Sequence, residues 1–399
     1  MSGQTLALHG GHAVRQAPFP EWPVWTDEEE QALLTVLRSG QWGSAGSGTG
    51  EVKSFEEEFA QFQGAKHAVA VCNGTMALAA ALRAVGVGHG DEVIVPPYTF
   101  IATASSVLQV GAVPAFADVQ SDTLLIDPEK VEQLITPRTK AVIGVHIGGA
   151  VCDMDALVEV CRRHGLHLIE DAAQAHGARW RDQGCGTIGD LGTFSFQSSK
   201  NVNAGEGGMV LCSTEELAEM TWSVANVGRI RGGGWYQHEI IGWNLRLTEW
   251  QAAILRVQLR RCPEQMERRE RNATMLTESL QGVPGIRVLA RDPRVTKHAW
   301  HIYAVWVDAP GGAKAVAEAM VAEGVPCGKG YVPLNRNRAL CKEAAELSPD
   351  GSYEAAACPV AEAADNEILW FSQRMLLGEG QDVEDIAVAL EKVMRGLSS

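Results

Sequence analysis

The chain has 399 residues, with 34 Lys and Arg against 49 Asp and Glu, a formal charge of −15. That balance argues against a nucleic-acid backbone or an anionic membrane as the main partner. Apolar residues at 46% and charged ones at 21% match ordinary globular usage, which excludes intrinsic disorder and leaves room for two or three domains.

Nine cysteines, at 72, 152, 161, 185, 212, 262, 327, 341 and 358, lack the close pairing of zinc-ribbon or thioredoxin motifs, so no metal site is expected. Residues 1–15 have no apolar core of the secretory kind, and a reduced, cytoplasmic setting is expected. Residues 93–117 carry no charge and are long enough to span a bilayer, but they contain Pro96, Pro97, Gly111 and Pro114. Adjacent prolines would open a helix in lipid, so strand, loop, helix and strand inside an α/β domain is the better reading.

In chain order, residues 1–25, with Pro18, Pro20, Pro23, Trp22 and Trp25, read as a surface arm. Strands are expected at 67–72, 92–96, 113–118, 140–145 and 166–171, with helices at 75–85, 100–110, 128–135 and 153–164 between them. Val, Ile and Ala fill these strands with little polar alternation, as in a mostly parallel wound sheet covered on both faces. Strands at 192–196 and 208–212 lie too close for a crossover helix, so a locally rearranged or antiparallel pair is expected. A glycine-rich loop at 228–242 precedes a long helix from about Thr248, whose charged half at 260–271 reads as a connector. Short strands at 286–290 and 301–307 with helices at 311–323 and 381–395 suggest a smaller α+β domain. The expected division is an arm at 1–25, a large domain at 26–265 and a small one at 266–399.

Several residues are candidates for chemistry. Asn73-Gly74-Thr75 follows a strand and opens a helix, which suits a phosphate but equally an ordinary N-cap. Phe100, just past a strand, is either a stacking ring or core. Asp171 ends a strand where α/β sheets bind ligands, with Gln174 and His176 behind it; an acidic helix cap is the plainer alternative. Lys200 sits in the polar loop TFSFQSSKNVNAGEGG between two apolar strands, where partial desolvation would lower its pKa and favour Schiff-base chemistry; the alternative is a solvated lysine. Ser195, the turn at 205–208, Asn244 and Arg246 are ambiguous singly. In order, a phosphate site, an acid at a later strand end and a lysine beyond it meet the needs of pyridoxal 5′-phosphate (PLP).

The segments NGTMAL (73–78), VIVPPYTFIATA (93–104), VHIGG (145–149), IEDAAQAHGA (169–178), TFSFQSSKNVNAGEGG (193–208) and IIGWNLRLTEWQAA (240–253) resemble the DegT-type sugar and cyclitol aminotransferases, which are fold-type I PLP enzymes. The resemblance implies Lys200 as the Schiff-base lysine, Asp171 on the pyridine nitrogen, Gln174 beside the ring and Phe100 stacked on it. It also implies that Gly74, Thr75 and Ser195 hold the phosphate, joined by Asn244 from the partner of a homodimer, with His238 in the loop that crosses the interface. Glutamate or glutamine would be the amino donor and a keto-sugar or keto-cyclitol the acceptor. Relatives with His in place of the lysine are dehydratases, and Lys200 argues against that branch. FPEWPVW and ILWFSQRMLLG are similar to inosose aminotransferases and 3-amino-5-hydroxybenzoate synthases, although the His-containing segment of that branch near 370–373 is absent. Residues 327–337 match the family poorly and are expected to help line the acceptor site through Lys329 and Tyr331. Lys329 and Arg336 either meet a substrate phosphate or are solvated surface charge. An aromatizing dehydratase of the aminohydroxybenzoate type and a non-catalytic PLP- or sugar-binding sensor are the competing readings.

Overall fold

The computed structural model describes residues 5–43, 50–349 and 351–398. Its centre is a seven-stranded sheet built from β1 (His67–Val71), β2 (Glu92–Val95), β3 (Val113–Phe116), β4 (Thr139–Val145), β5 (His167–Asp171), β6 (Leu191–Ser195) and β7 (Gly208–Cys212). The spatial order is β1-β7-β6-β5-β4-β2-β3. Neighbours from β6 through β3 pair in parallel, and β7 pairs antiparallel with both β6 and β1. The short connection after β6 turns the chain straight back, as its length requires. β6 and β7 are buried along their whole length, which is why their sequences show no alternation.

Residues 93–117 form β2, a loop, the helix Ala102–Gln109 and β3. Among the described residues no helix is long and apolar enough to cross a membrane. The helix Gly74–Ala84 can lie close on the sheet because its inner face is alanine, with Ala77, Ala79, Ala80 and Ala81 fully buried.

A second sheet of β8 (Ile286–Val288), β9 (Ile302–Val307), β10 (Gly328–Lys329) and β11 (Ile368–Ser372) has the order β8-β9-β11-β10 and is antiparallel throughout. The helices Gly312–Ala322 and Gly380–Leu397 supply Val316 and Leu390 to its separate core, with Tyr303, Val305 and Phe371. β11 was not expected, although Ile368, Leu369 and Phe371 make it a central strand. The helix Glu249–Leu280 joins the two cores, giving Leu255 and Leu259 to the first and Leu276 and Leu280 to the second. The expected division at 265 therefore falls inside one continuous helix, which carries Pro263. Leu6 and Phe19 of the arm pack into the second core, and Arg15 is paired with Asp382 and Asp385.

Candidate active site

The ends of β4, β5 and β6 meet the start of the helix Gly74–Ala84 around a cavity of about 620 Å³, within the range of small-molecule sites. Asn73, Gly74, Thr75, Phe100, Thr103, Asp171, Gln174, Ser195, Lys200, His301 and Tyr331 are among its lining residues.

The helix start is built for an anion. Asn73 Oδ1 takes the Met76 amide at 2.9 Å and the intrahelical ladder begins at Ala77, which donates to the Asn73 carbonyl. The amides of Gly74 and Thr75, at the first two helical positions, have no intrahelical acceptor. Gly74 is required by contact: a Cβ there would lie 2.7 Å from Ser195 Cβ. Ser195, at the end of β6, thus faces the helix start with its hydroxyl.

Asp171 is buried and accepts hydrogen bonds from Thr103 Oγ1 at 2.9 Å and from the Ala173 amide at 3.2 Å. Because the Thr103 proton goes to the carboxylate, Thr99 Oγ1 donates in turn to Thr103 Oγ1 at 3.1 Å. Burial raises the Asp171 pKa, against the opposing pull of Thr103, Ala173, Lys200 and His146. Among the described residues no cation comes within ion-pair distance of it.

Lys200 is half-buried, and burial lowers its pKa to about 8 while Asp171 acts the other way. Its loop is held by the Lys200 amide on the Gln197 carbonyl at 2.8 Å and by Trp22, whose indole donates to the Ser198 carbonyl at 3.0 Å. Gln174 accepts from the Gly148 amide at 2.7 Å and donates to Tyr331 Oη at 3.0 Å. His176 lies behind the site rather than in it. Its Nε2 donates to the Ser195 carbonyl at 3.0 Å, and burial lowers its pKa to about 3, so it is neutral.

Several supports lie within the quoted motifs, although the sequence assigned them no role. Glu170, fully buried, accepts from His146 Nε2 at 2.9 Å and from the amides of Gly186, Ile188 and Gly189 at 2.7 Å each. The Cys152 amide donates to His146 Nδ1 at 3.2 Å, so the imidazole proton is on Nε2, facing Glu170. Gly149 admits no side chain, since its Cβ would lie 2.9 Å from both the Gln174 carbonyl and the Trp300 amide. The motif VHIGG is thus the brace beneath Asp171 and Gln174.

The remaining expected residues lie at the rim of the cavity or outside it. Phe100 is 57% exposed at the cavity rim. Lys329 pairs with Asp365 at 2.7 Å and Arg336 pairs with Glu362, and neither lines the cavity. Asn244 and His238 are exposed: Asn244 bridges to Asn226, and His238 Nδ1 lies 3.0 Å from the Val227 carbonyl. Thr248 caps the long helix. Arg246 bridges to Val71, just before the turn at Asn73 and Gly74.

The model of the DegT/DnrJ/EryC1/StrS aminotransferase family matches residues 23–391. The chain belongs to this family. It is 40% identical to the L-glutamine:2-deoxy-scyllo-inosose aminotransferase of Micromonospora echinospora, over 97% of each chain. It is 39% identical to the 3-amino-5-hydroxybenzoate synthase of Amycolatopsis mediterranei (strain S699), over 91% of this chain and 94% of the relative. A crystal structure of 3-amino-5-hydroxybenzoic acid synthase superposes with a TM-score of 0.88 at 35% identity, covering 95% of this chain and 99% of the other. As a family member the chain is an aminotransferase, and its architecture, a large mostly parallel sheet followed by a smaller antiparallel one, is that of the fold-type I transferases.

Proposed function

We propose that this aminotransferase uses PLP, bound in the 620 Å³ cavity, to move an amino group from glutamine or glutamate to a keto-cyclitol or keto-sugar. The observation that carries the cofactor is Asp171, a buried carboxylate that two protein donors hold and that has no ion-pair partner among the described residues. A protonated pyridine nitrogen supplies the charge such a group needs. Gly74, Thr75 and Ser195 would hold the phosphate, with the Gly74–Ser195 contact closing the cradle. Phe100 and Gln174 would border the ring, and Lys200 would be the covalent attachment point.

When bound, PLP supplies an electron-poor ring that stabilises negative charge on the substrate carbon losing its proton. The chain does the rest. Asp171 keeps the ring nitrogen protonated. Lys200, with its pKa lowered to about 8, is partly free base near neutrality and takes the donor's α-proton. The hydrogen-bonded pair Gln174–Tyr331 fixes the wall on which the substrate rests.

The keto-cyclitol reading rests on relatives named for inososes at about 40% identity over nearly the whole chain. We further propose a homodimer in which Asn244 and His238 reach the partner's site. Both lie in a segment with Trp235, Tyr236 and Ile241 exposed by 71%, 87% and 87%, apolar surface that a second copy would cover.

A half-reaction assay tests the function. L-Glutamine should convert the PLP form to the pyridoxamine form, and 2-deoxy-scyllo-inosose should return the original spectrum with formation of the amino-cyclitol. No return with any keto-cyclitol or keto-sugar would overturn the acceptor class, and an aromatised product would favour the dehydratase reading.

A further inference from the structure

We propose that His301 is the residue that binds the acceptor: its Nε2 accepts a hydrogen bond from a hydroxyl on the carbon next to the carbonyl being aminated. The inference rests on the aminotransferase reading and adds the side chain that reads the second substrate.

His301 is 7% exposed, and its ring lines the same cavity as Lys200, Gln174 and Tyr331. Its orientation is fixed from two sides. Asn201 Nδ2 donates to the Ala299 carbonyl at 2.7 Å, which directs the amide oxygen to His301 Nδ1 at 3.1 Å. A carbonyl oxygen only accepts, so Nδ1 carries the proton and Nε2 keeps its lone pair. On the other side, Trp300 adopts φ +49°, a left-handed backbone that a bulky residue rarely takes. That conformation is clamped by the Trp300 amide on His298 Nδ1 at 2.9 Å, the indole on Glu270 at 2.7 Å and ring stacking on His298 at 3.8 Å. The strained residue is the one that delivers His301 to the cavity.

Burial holds the His301 pKa well below the ordinary imidazole value, with Lys200, His176 and Arg269 adding to the effect. The ring is therefore a neutral acceptor at physiological pH. A carboxylate or a ketone has no proton to give it; a hydroxyl does. His301 and Lys200, which would act at the reacting carbon, line one cavity, so the hydroxyl that is read lies near that carbon. A keto-cyclitol carries hydroxyls there, whereas the side-chain amide of glutamine lies three carbons away.

The test compares wild type with His301→Phe and His301→Gln in separate half-reactions, using L-glutamine and then scyllo-inosose. His301→Phe should lower the acceptor half-reaction by about tenfold or more while leaving the donor half-reaction within about threefold, and His301→Gln, with an oxygen near the Nε2 position, should restore most of the loss. Calorimetric binding of scyllo-inositol, which has no carbonyl to react, should weaken by about tenfold in His301→Phe. His301→Asn, smaller and still able to donate to Asn201, covers the case in which the phenyl ring does not fit, and should behave as His301→Phe does. Equal losses in both half-reactions, or wild-type acceptor kinetics and inositol affinity in the Phe and Asn variants, would overturn the proposal. A wild type that reacts with L-glutamine but with no keto-cyclitol would overturn the acceptor reading itself, and that outcome is seen on the wild type alone.

Discussion

At Asp171 burial and hydrogen bonding act in opposite directions. Burial raises the carboxyl pKa, and the Thr103 hydroxyl, 2.9 Å away, stabilises the ionised form. Thr103→Val removes that donor, so the pKa rises further and the ionised form is lost at higher pH on acidification. The acid limb of kcat/KM for the donor should move up by about one pH unit, with the alkaline limb unmoved. A profile identical to wild type would show that Thr103 does not set this ionisation. Lys200 and Asp171 were legible because each sits at a strand end or in a loop whose local sequence is distinctive. Thr103 and His301 were not, and Tyr331 was legible as a lining residue but not as the partner of Gln174. Thr103 meets Asp171 across 68 residues and Tyr331 meets Gln174 across 157, distances over which a single sequence carries no pairing signal. Lys329 and Arg336 show the converse: their charge was visible, but their partners Asp365 and Glu362 were not.

Glu170 ties two elements together, the end of β4 through His146 and the loop before β6 through three amides. Glu170→Gln puts an NH₂ group against donors in a fully buried site. It should cost about 2–4 kcal/mol, read as a shift in the urea midpoint of the apoprotein; an unchanged midpoint would contradict this role. The parallel strands were legible as short Val- and Ile-rich runs, and the return of β7 as a connection too short for a helix. β11 was not, since ILWFS at 368–372 has no alternation to tell strand from buried helix. The helix Asp27–Ser39 was passed over although Thr26 and Glu29 form a capping box that the sequence spells out.

For the whole molecule, the described part of the arm, residues 5–25, is structural, with Leu6 and Phe19 in the second core and Trp22 on the Lys200 loop. Contacts of that kind join the chain's beginning to its last helix through Arg15, Asp382 and Asp385, and no local pattern announces them. Lys200→Ala and Asn244→Ala should each be inactive alone. When the two are unfolded and refolded together, half of the dimers are mixed, and each mixed dimer holds one intact site. About a quarter of wild-type activity should return. No recovery, or a fully active monomer, would refute residue sharing between subunits.

Everything proposed for the site depends on Lys200 carrying the cofactor. Borohydride reduction of the PLP-loaded protein, followed by peptide mass mapping, tests it directly. One pyridoxyl group per chain is expected, on Lys200, with the visible absorbance band lost and no such label in Lys200→Ala. A label on another lysine, or none on a protein that retains the band, would contradict it.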